Sequence, residues 1–202
     1  MNVANMTALR RSVTSAVESL SDAPLTAAVE ILARVRRSGG IVLTAGNGGS
    51  SSTASHFAAD LVKYTRASGE RHFRALALAD NIACHTAWAN DDVPSLALAH
   101  LAEPWLPSAP DAADAVVVFS VHGGARDGSV SDNLSHLAAL ARKSGASVIA
   151  VTGFDGGAVG DLSDVHLNVN LRHEPLATPG VESVHLLIAH ALCLALSDKE
   201  IS

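Results

Sequence analysis

The feature that most constrains the fold is the stretch from residue 40 to residue 66, GIVLTAGNGGSSSTASHFAADLVKYTR. It opens with five largely apolar residues, 41–45, which predict a short buried strand. A break rich in glycine and hydroxyl residues follows at 46–53, and from residue 54 apolar residues recur at helical spacing. A strand, a glycine loop and a helix start in this order favour binding of a phosphate or another anion by main-chain N–H groups. A serine-capped turn without a ligand has the same pattern, so both interpretations stand.

The glycine spacing in this stretch excludes two common nucleotide-binding signatures. It does not follow the GxGxxG pattern, and the Lys-Ser/Thr pair that closes a P-loop is absent. The helix that follows carries His56 and Asp60, which are four residues apart and therefore share one face. An imidazole and a carboxylate beside a candidate phosphate loop indicate either a metal site or an acid/base pair.

Composition and charge narrow the class of protein. The 202 residues are 48% hydrophobic and 17% charged, which predicts a single globular domain over residues 1–202. We expect residues 1–38 to form a helical interface segment and residues 39–202 an α/β sandwich. The net charge of −6 disfavours a nucleic-acid partner. Two cysteines, the absence of a signal-peptide core near the N-terminus and the lack of a bilayer-length apolar run predict a cytoplasmic protein with no membrane partner.

Alternating patterns along the chain predict an α/β fold, with a five-stranded parallel sheet flanked by helices. Strands are predicted at 41–45, 74–79, 115–120, 147–152 and 165–171, and helices at 4–20, 24–38, 83–89, 134–143 and 181–196. The glycine loops after the first and third strands would then lie at the carboxyl edge of the sheet, where ligands bind. We expect the two N-terminal helices to contribute to a subunit interface, although they could instead fold back as a hairpin. Residues 172–180 are predicted to form an active-site flap.

Five segments together carry a specific resemblance. They are GNGGS at 46–50, HFAAD at 56–60, LAD at 78–80 with TAWAND at 86–91, VTGFDGG at 151–157 and VHLLIAH at 184–190. The chain resembles the sedoheptulose 7-phosphate isomerases, also called phosphoheptose isomerases, of the sugar isomerase (SIS) domain superfamily. The resemblance implies a flavodoxin-like, Rossmann-like fold and a homotetramer with active sites between subunits. It also implies metal-assisted conversion of sedoheptulose 7-phosphate to D-glycero-D-manno-heptose 7-phosphate through an enediol.

The same resemblance implies roles for particular residues. A divalent metal, most often zinc, would be held by His56, Asp60, Glu182 and His190, with Asp60 and His190 as the catalytic acid/base groups. The sugar phosphate would be bound by residues of both glycine loops and their neighbours: Asn47, Gly48, Gly49, Ser50, Asp80, Asn81, Ser120, His122, Gly123, Ser131 and Glu182.

The chain departs from the family pattern at three places. Asp60 stands where most members have glutamate, and Glu182 stands where they have glutamine, which adds a negative charge beside a bound cation. The family's Ser-Thr-Ser-Gly-Asn-Ser loop is replaced by SVHGG, an insertion and then SDN at 131–133. His122 and Arg126 in this rebuilt loop could supply positive charge to a phosphate, or the loop could accommodate another substrate.

Helix geometry limits how one ion could be shared. Glu182 and His190 are eight residues apart, or roughly 12 Å along a regular helix. They could bind one ion only if Glu182 lies on the loop before the helix, or if the two belong to different subunits. His185 offers an alternative partner for Glu182, although a histidine within this apolar run is more often a core or interface residue.

Two other functions stay open, namely an isomerase for another phosphosugar and a non-catalytic SIS module that binds a sugar phosphate or a protein.

Overall fold

The computed structural model describes residues 3–66 and 69–197, and within that part of the chain five parallel strands form one sheet. The strands are β1 Ile41–Gly46, β2 Arg74–Ala77, β3 Ala115–Ser120, β4 Ser147–Gly153 and β5 Val165–Val169. Their order across the sheet is β2-β1-β3-β4-β5. The predicted five-stranded parallel sheet is therefore confirmed, with β2 and β5 ending two residues earlier than the sequence pattern indicated.

The strand order places the two glycine loops next to each other. From β1 the chain crosses to β2 on one side and later returns to β3 on the other, so the order reverses between β1 and β3. Gly46 at the end of β1 is paired with Phe119 near the end of β3. In sheets of this type, the crevice at such a reversal is where ligands bind.

Helices cover both faces of the sheet. One face is covered by α1 Val3–Glu18, α2 Asp22–Ser38, α3 Gly49–Lys63 and α8 Ala177–Ala195. The other is covered by α4 Ile82–Asp91, α5 Ala97–Ala102, α6 Asp132–Lys143 and α7 Gly157–Asp161. Alternate strand residues point to opposite faces, so Val42 packs in the first layer and its neighbours Ile41 and Leu43 pack in the second.

Three local predictions differ from the structure. The last helix begins at Ala177 instead of residue 181, so helix replaces part of the predicted flap at 172–180. The helix after the first loop begins at Gly49, before its apolar repeat starts. The five-residue helix α7 was not predicted, since GAVGD contains two glycines and is too short to show a period.

The N-terminal helices pack differently from each other. Helix α2 buries four apolar residues in the core of its own chain, and its contribution to a subunit interface stays a prediction. Helix α1 packs against α8 and buries only Ala16, while Val3 and Met6 are exposed. A role for α1 in an interface between subunits stays a prediction.

Helix α8 corrects the expectation that no apolar run in the chain is long enough to span a bilayer. Over Ala177–Ala195 its length and its mean hydropathy of 1.3 are sufficient for a bilayer-spanning segment. In the folded chain α8 packs on α1, α3 and the sheet, and half of it is buried inside the protein. The apolar composition of α8 is thus explained by its position as a core helix.

His185 is a buried histidine on α8. It is fully inaccessible to solvent, and neither ring nitrogen makes a hydrogen bond of normal geometry within the described residues. Burial lowers the pKa of His185 to about 4, although the Thr152 main chain opposes the shift. Of the two predicted roles for His185, the structure supports the core histidine and not the partner for Glu182.

This burial predicts a pH-dependent stability. The pKa of His185 is about 4 in the folded chain, lower than the usual value of 6.5. Between these two pH values the unfolded chain therefore binds more protons than the folded chain. Stability is then complete above about pH 6.5 and is lost as the pH falls toward 4. When the pH falls from 7.5 to 5, the free energy of unfolding should fall by about 2 kcal/mol less in His185→Leu than in the wild type. Urea unfolding at the two pH values measures this, and equal losses in both proteins would contradict it.

Candidate active site

Two histidines and an aspartate from α3 and α8 meet at one point. His56 and Asp60 lie one turn apart on α3, with 3.3 Å between His56 Nε2 and Asp60 Oδ2. His190 on α8 places its Nε2 3.2 Å from His56 Nε2 and 3.7 Å from Asp60 Oδ2. The three residues, called the His–Asp–His cluster below, thus direct three ligand atoms toward a common position.

The donor set of this cluster fits a zinc ion. Its ligand atoms all lie within 4.8 Å of one another. Ligand atoms bound tetrahedrally to zinc at about 2.0–2.1 Å are separated by about 3.3–3.4 Å, which is close to the spacings in the cluster. Two imidazole nitrogens facing each other need a shared proton or a shared cation between them. The cluster therefore fits a divalent metal and leaves one coordination position for another ligand.

The His–Asp–His cluster opens into a cavity of about 470 Å³. The side chains of His56 and His190 are 46% and 52% exposed, and that of Asp60 is 25% exposed. The other lining residues are mostly apolar: Tyr64, Leu187, Ala191, Cys193 and Leu194. In the single chain the cluster therefore lies at the surface, beside an apolar wall that includes the exposed Leu187.

Glu182 lies away from the cluster, although it was predicted as a fourth metal ligand. It is on the first turns of α8, which runs without interruption through His190. Its carboxylate lies over Gly49, because a Cβ atom built on that glycine would be 2.5 Å from Glu182 Oε1. Of the two arrangements that could bring Glu182 and His190 to one ion, only the one between subunits is compatible with this helix.

The first glycine loop is bonded to the start of α6. Asn47 donates through Nδ2 to Asn133 Oδ1 at 3.0 Å and to Ser131 Oγ at 3.3 Å. Asn133 returns a hydrogen bond to Asn47 Oδ1 at 2.9 Å. Gly48 precedes α3 with a φ of +55°, and Ser50 is buried in its first turn. The structure thus places Asn47 beside Ser131, and the sugar-phosphate role of both stays a prediction. Asn133, which sequence reasoning did not name, bonds to Asn47 at the same place.

The second glycine loop packs against the turn after β4. Ser120 Oγ accepts a hydrogen bond from the Gly123 N–H at 3.0 Å, and both residues are buried. His122 is exposed and packs against Phe154, with 4.2 Å between ring centroids and 32° between the ring planes. Phe154 has a φ of +51°, a backbone conformation that is rare for a bulky residue and concentrates at functional sites. Ser120 and Gly123 therefore bond to each other at the base of the loop, while His122 lies at its surface.

Arg126 does not supply a free positive charge, which corrects one expectation for the rebuilt loop. Its guanidinium is bonded to the carboxylates of Asp155 and Asp161. The Arg126 hydrogen bonds are the main cause that holds the pKa of each aspartate below its usual value. The two carboxylates together therefore carry more charge than the one guanidinium that they bind.

The last predicted pair, Asp80 and Asn81, lies at the start of α4. The Asn81 side chain accepts a hydrogen bond from the Cys84 N–H and caps the helix, as its position after the strand indicated. Asp80 accepts a 2.5 Å hydrogen bond from Ser55 on α3. Ser55 was not predicted as part of the site, although it shares a serine-rich run with Ser50 and precedes His56.

Comparisons with known proteins identify the family of the chain. The SIS domain family profile matches residues 6–153. The phosphoheptose isomerase of Aromatoleum aromaticum is 37% identical over 186 residues, which are 88% of this chain and 83% of that protein. The solved structure of phosphoheptose isomerase GmhA from Neisseria gonorrhoeae aligns with a TM-score of 0.79 and 27% identity, over 96% of this chain and 95% of that one.

A further relative comes from antibiotic biosynthesis. The lincomycin biosynthesis protein LmbN of Streptomyces lincolnensis is 52% identical over 170 residues, which are 84% of this chain. Those residues span only 60% of LmbN, so this chain covers about three fifths of that relative. With its fold, its two glycine loops and these matches, the chain belongs to the SIS domain family and, within it, to the phosphoheptose isomerase family.

Proposed function

We propose that the chain is a sugar-phosphate aldose–ketose isomerase that converts sedoheptulose 7-phosphate to D-glycero-D-manno-heptose 7-phosphate. The observation that carries the proposal is the convergence of His56, Asp60 and His190, whose facing side-chain atoms lie 3.2 Å to 3.7 Å apart, on two adjacent helices of a SIS fold. A scaffold that only binds a protein partner has no need for this arrangement. The named activity of the phosphoheptose isomerase relatives supports the same reaction class.

The chemistry requires a proton to move between C1 and C2 of the sugar. A base removes the proton next to the carbonyl, and an acid serves the oxygen on which negative charge develops. Asp60, the least exposed member of the cluster, is proposed as the base, and His190 as its acid partner. A divalent metal bound by the cluster, which we propose to be zinc, would polarise the carbonyl and stabilise the enediolate.

The phosphate is proposed to bind at the two glycine loops. Asn47, Ser50 and Ser131 supply an amide and hydroxyls there, and the N-terminus of α3 adds its positive dipole end. Uncharged donors of this kind hold a dianion despite the net charge of −6. Asp80 and Asn81, at the carboxyl end of the β2 segment, are proposed to contact sugar hydroxyls.

We further propose a cytoplasmic homotetramer with active sites between subunits. Within one chain Glu182 lies beside Gly49, whereas the His–Asp–His cluster lies farther along α3 and α8. A second copy of the chain is needed to bring Glu182 to the cluster, and the apolar wall around Leu187 fits burial in such an interface.

A different phosphosugar is the second candidate substrate. It is favoured by the rebuilt loop at 122–131 and by the 52% identity to a protein named for lincomycin biosynthesis. Under this alternative the same cluster performs the same proton transfer, in a secondary-metabolite pathway, on a sugar of another length.

A panel of ketose phosphates with five to eight carbons, incubated with the protein in D₂O, tests the proposal. Enediol chemistry incorporates solvent deuterium at the carbon that receives the proton, which mass spectrometry detects. We expect incorporation with sedoheptulose 7-phosphate that exceeds the other sugars by at least about tenfold in kcat/KM. A preference for another length supports the second substrate instead, and no incorporation with any sugar by metal-loaded protein would contradict both.

A further inference from the structure

The inserted loop at 122–131 is an ordered, internally bonded turn. The Ala125 N–H donates to Val130 O at 2.9 Å, and the Gly128 N–H donates to Ala125 O at 3.0 Å. At the tip, Asp127 accepts hydrogen bonds from the Ser129 N–H at 3.0 Å and the Ser129 hydroxyl at 2.6 Å. These bonds define the shape of the loop but leave open how it is held against the rest of the chain.

Arg126 attaches the loop to the segment after β4. Its Nε and Nη2 donate to Asp161 at 2.6 Å and 3.1 Å, which is a two-pronged contact, and its Nη1 donates to Asp155 at 2.7 Å. Asp155 lies in the turn between β4 and α7, and Asp161 ends α7. Bidentate guanidinium–carboxylate contacts in a three-charge network are the kind of exposed ion pair that orders a loop. Arg126, Asp155 and Asp161 are called the arginine clamp below.

The loop connects the arginine clamp to the candidate phosphate site. Val130, which closes the turn through Ala125, is followed directly by Ser131. The Ser131 hydroxyl accepts from Asn47 of the first glycine loop. Ser131 itself has a φ of +54°, a strained conformation that the surrounding contacts must maintain.

The loop also borders a cavity of about 600 Å³, separate from the one beside the His–Asp–His cluster. Its walls include His122, Arg126, Asp127 and Asp155. The position of the loop therefore determines the size of this space. Main-chain hydrogen bonds from Ala158 and Val159 of α7 hold Gly124 and Gly123, and the arginine clamp holds the part of the loop that follows them.

We propose that Arg126 is a positioning residue: held by Asp155 and Asp161, it fixes the loop from residue 125 to residue 130 and thereby places Ser131 for binding of the phosphosugar. The proposal rests on the proposed function for its substrate. It assigns no contact between the Arg126 guanidinium and the phosphate. The two aspartates are then part of the substrate-binding apparatus, although neither touches the substrate.

Four variants separate positioning from direct phosphate binding. They are the single variant Arg126→Ala, a double variant with Asp155→Asn and Asp161→Asn, a triple variant that combines these three changes, and the control Arg142→Ala. Arg142 on α6 is as exposed as Arg126, at 49%, and pairs with Asp164. If Arg126 positions the loop, removing the aspartates should be as harmful as removing the arginine, and the combined variant no worse than either. If Arg126 bound the phosphate directly, freeing it from the aspartates would leave or improve binding.

Two readouts make the test decisive. Hydrogen–deuterium exchange of the amides at 124–131 should be about three- to tenfold faster in all three clamp variants and unchanged in Arg142→Ala. KM for the best sugar phosphate of the panel should rise about three- to tenfold in the same three variants, with kcat changed less than twofold. Unchanged exchange, or an unaltered KM in the aspartate variant, would overturn the proposal. Hydrogen–deuterium exchange is measured without turnover. If the proposed function were wrong, only the KM measurement would be lost, and the exchange rates would still test whether the clamp holds the loop.

Discussion

Asp60→Asn is expected to lower kcat by about 10²- to 10⁴-fold, the range over which a positioned acid/base group contributes to catalysis. The change removes the carboxylate charge but keeps the shape of the side chain. Asp60 Oδ2 faces both His56 and His190, so the same substitution also removes one of three ligand atoms of the proposed metal site. We therefore expect bound zinc, measured by elemental analysis, to fall together with turnover of sedoheptulose 7-phosphate.

Asp60→Glu is the matched control for this experiment. It keeps the charge and restores the residue that most family members have, so it should retain activity within about tenfold of the wild type. Turnover by Asp60→Asn at the wild-type rate would exclude the carboxylate as the base. Loss of activity in Asp60→Glu equal to that in Asp60→Asn would show that this chain depends on the shorter side chain.

Gly123→Ala is expected to destabilise the fold by about 3 kcal/mol, through backbone strain and overpacking together. Gly123 has a φ of +72°, and a Cβ atom built on it would lie 1.8 Å from the Gly156 carbonyl oxygen. The Gly123 carbonyl also accepts from the Val159 N–H of α7, so the two glycine turns have no room to separate. The midpoint of urea unfolding should fall accordingly.

Gly128→Ala controls for the backbone term alone. Gly128 has a φ of +76°, but no heavy atom lies within 4 Å of the position its Cβ would take. A loss of about 1 kcal/mol is expected from the left-handed conformation. Equal losses at the two positions would contradict the close packing of the 122–124 turn on residues 156–157.

The parts of the fold that sequence patterns predict well are those set by local physics. The strand at Ile41–Gly46 and its glycine loop follow from a run of apolar residues and a break, both readable in one window. The sequence could not decide whether α2 packs on its own chain or on another subunit, because an amphipathic stripe does not say which surface covers it.

In the candidate site, too, local contacts follow from the sequence and long-range contacts do not. The pairing of His56 with Asp60 follows from helical spacing alone. His190 lies 134 residues away from His56, so the resemblance to a family was needed to associate the two. The bonds from Asn47 to Asn133 and from Arg126 to Asp155 and Asp161 are long-range side-chain contacts, and no local period encodes them.

Metal-assisted isomerisation at the His–Asp–His cluster is tested by measuring turnover of sedoheptulose 7-phosphate with the purified protein, before chelation, after chelation and after zinc is restored. We predict that an aldoheptose phosphate forms and that chelation lowers kcat at least about 10²-fold. Zinc should restore activity in the wild type but not in Asp60→Asn. Full activity in chelator-treated protein with no bound metal would contradict metal-assisted isomerisation at the His–Asp–His cluster. Absence of turnover by the zinc-loaded, folded protein would contradict the heptose substrate itself.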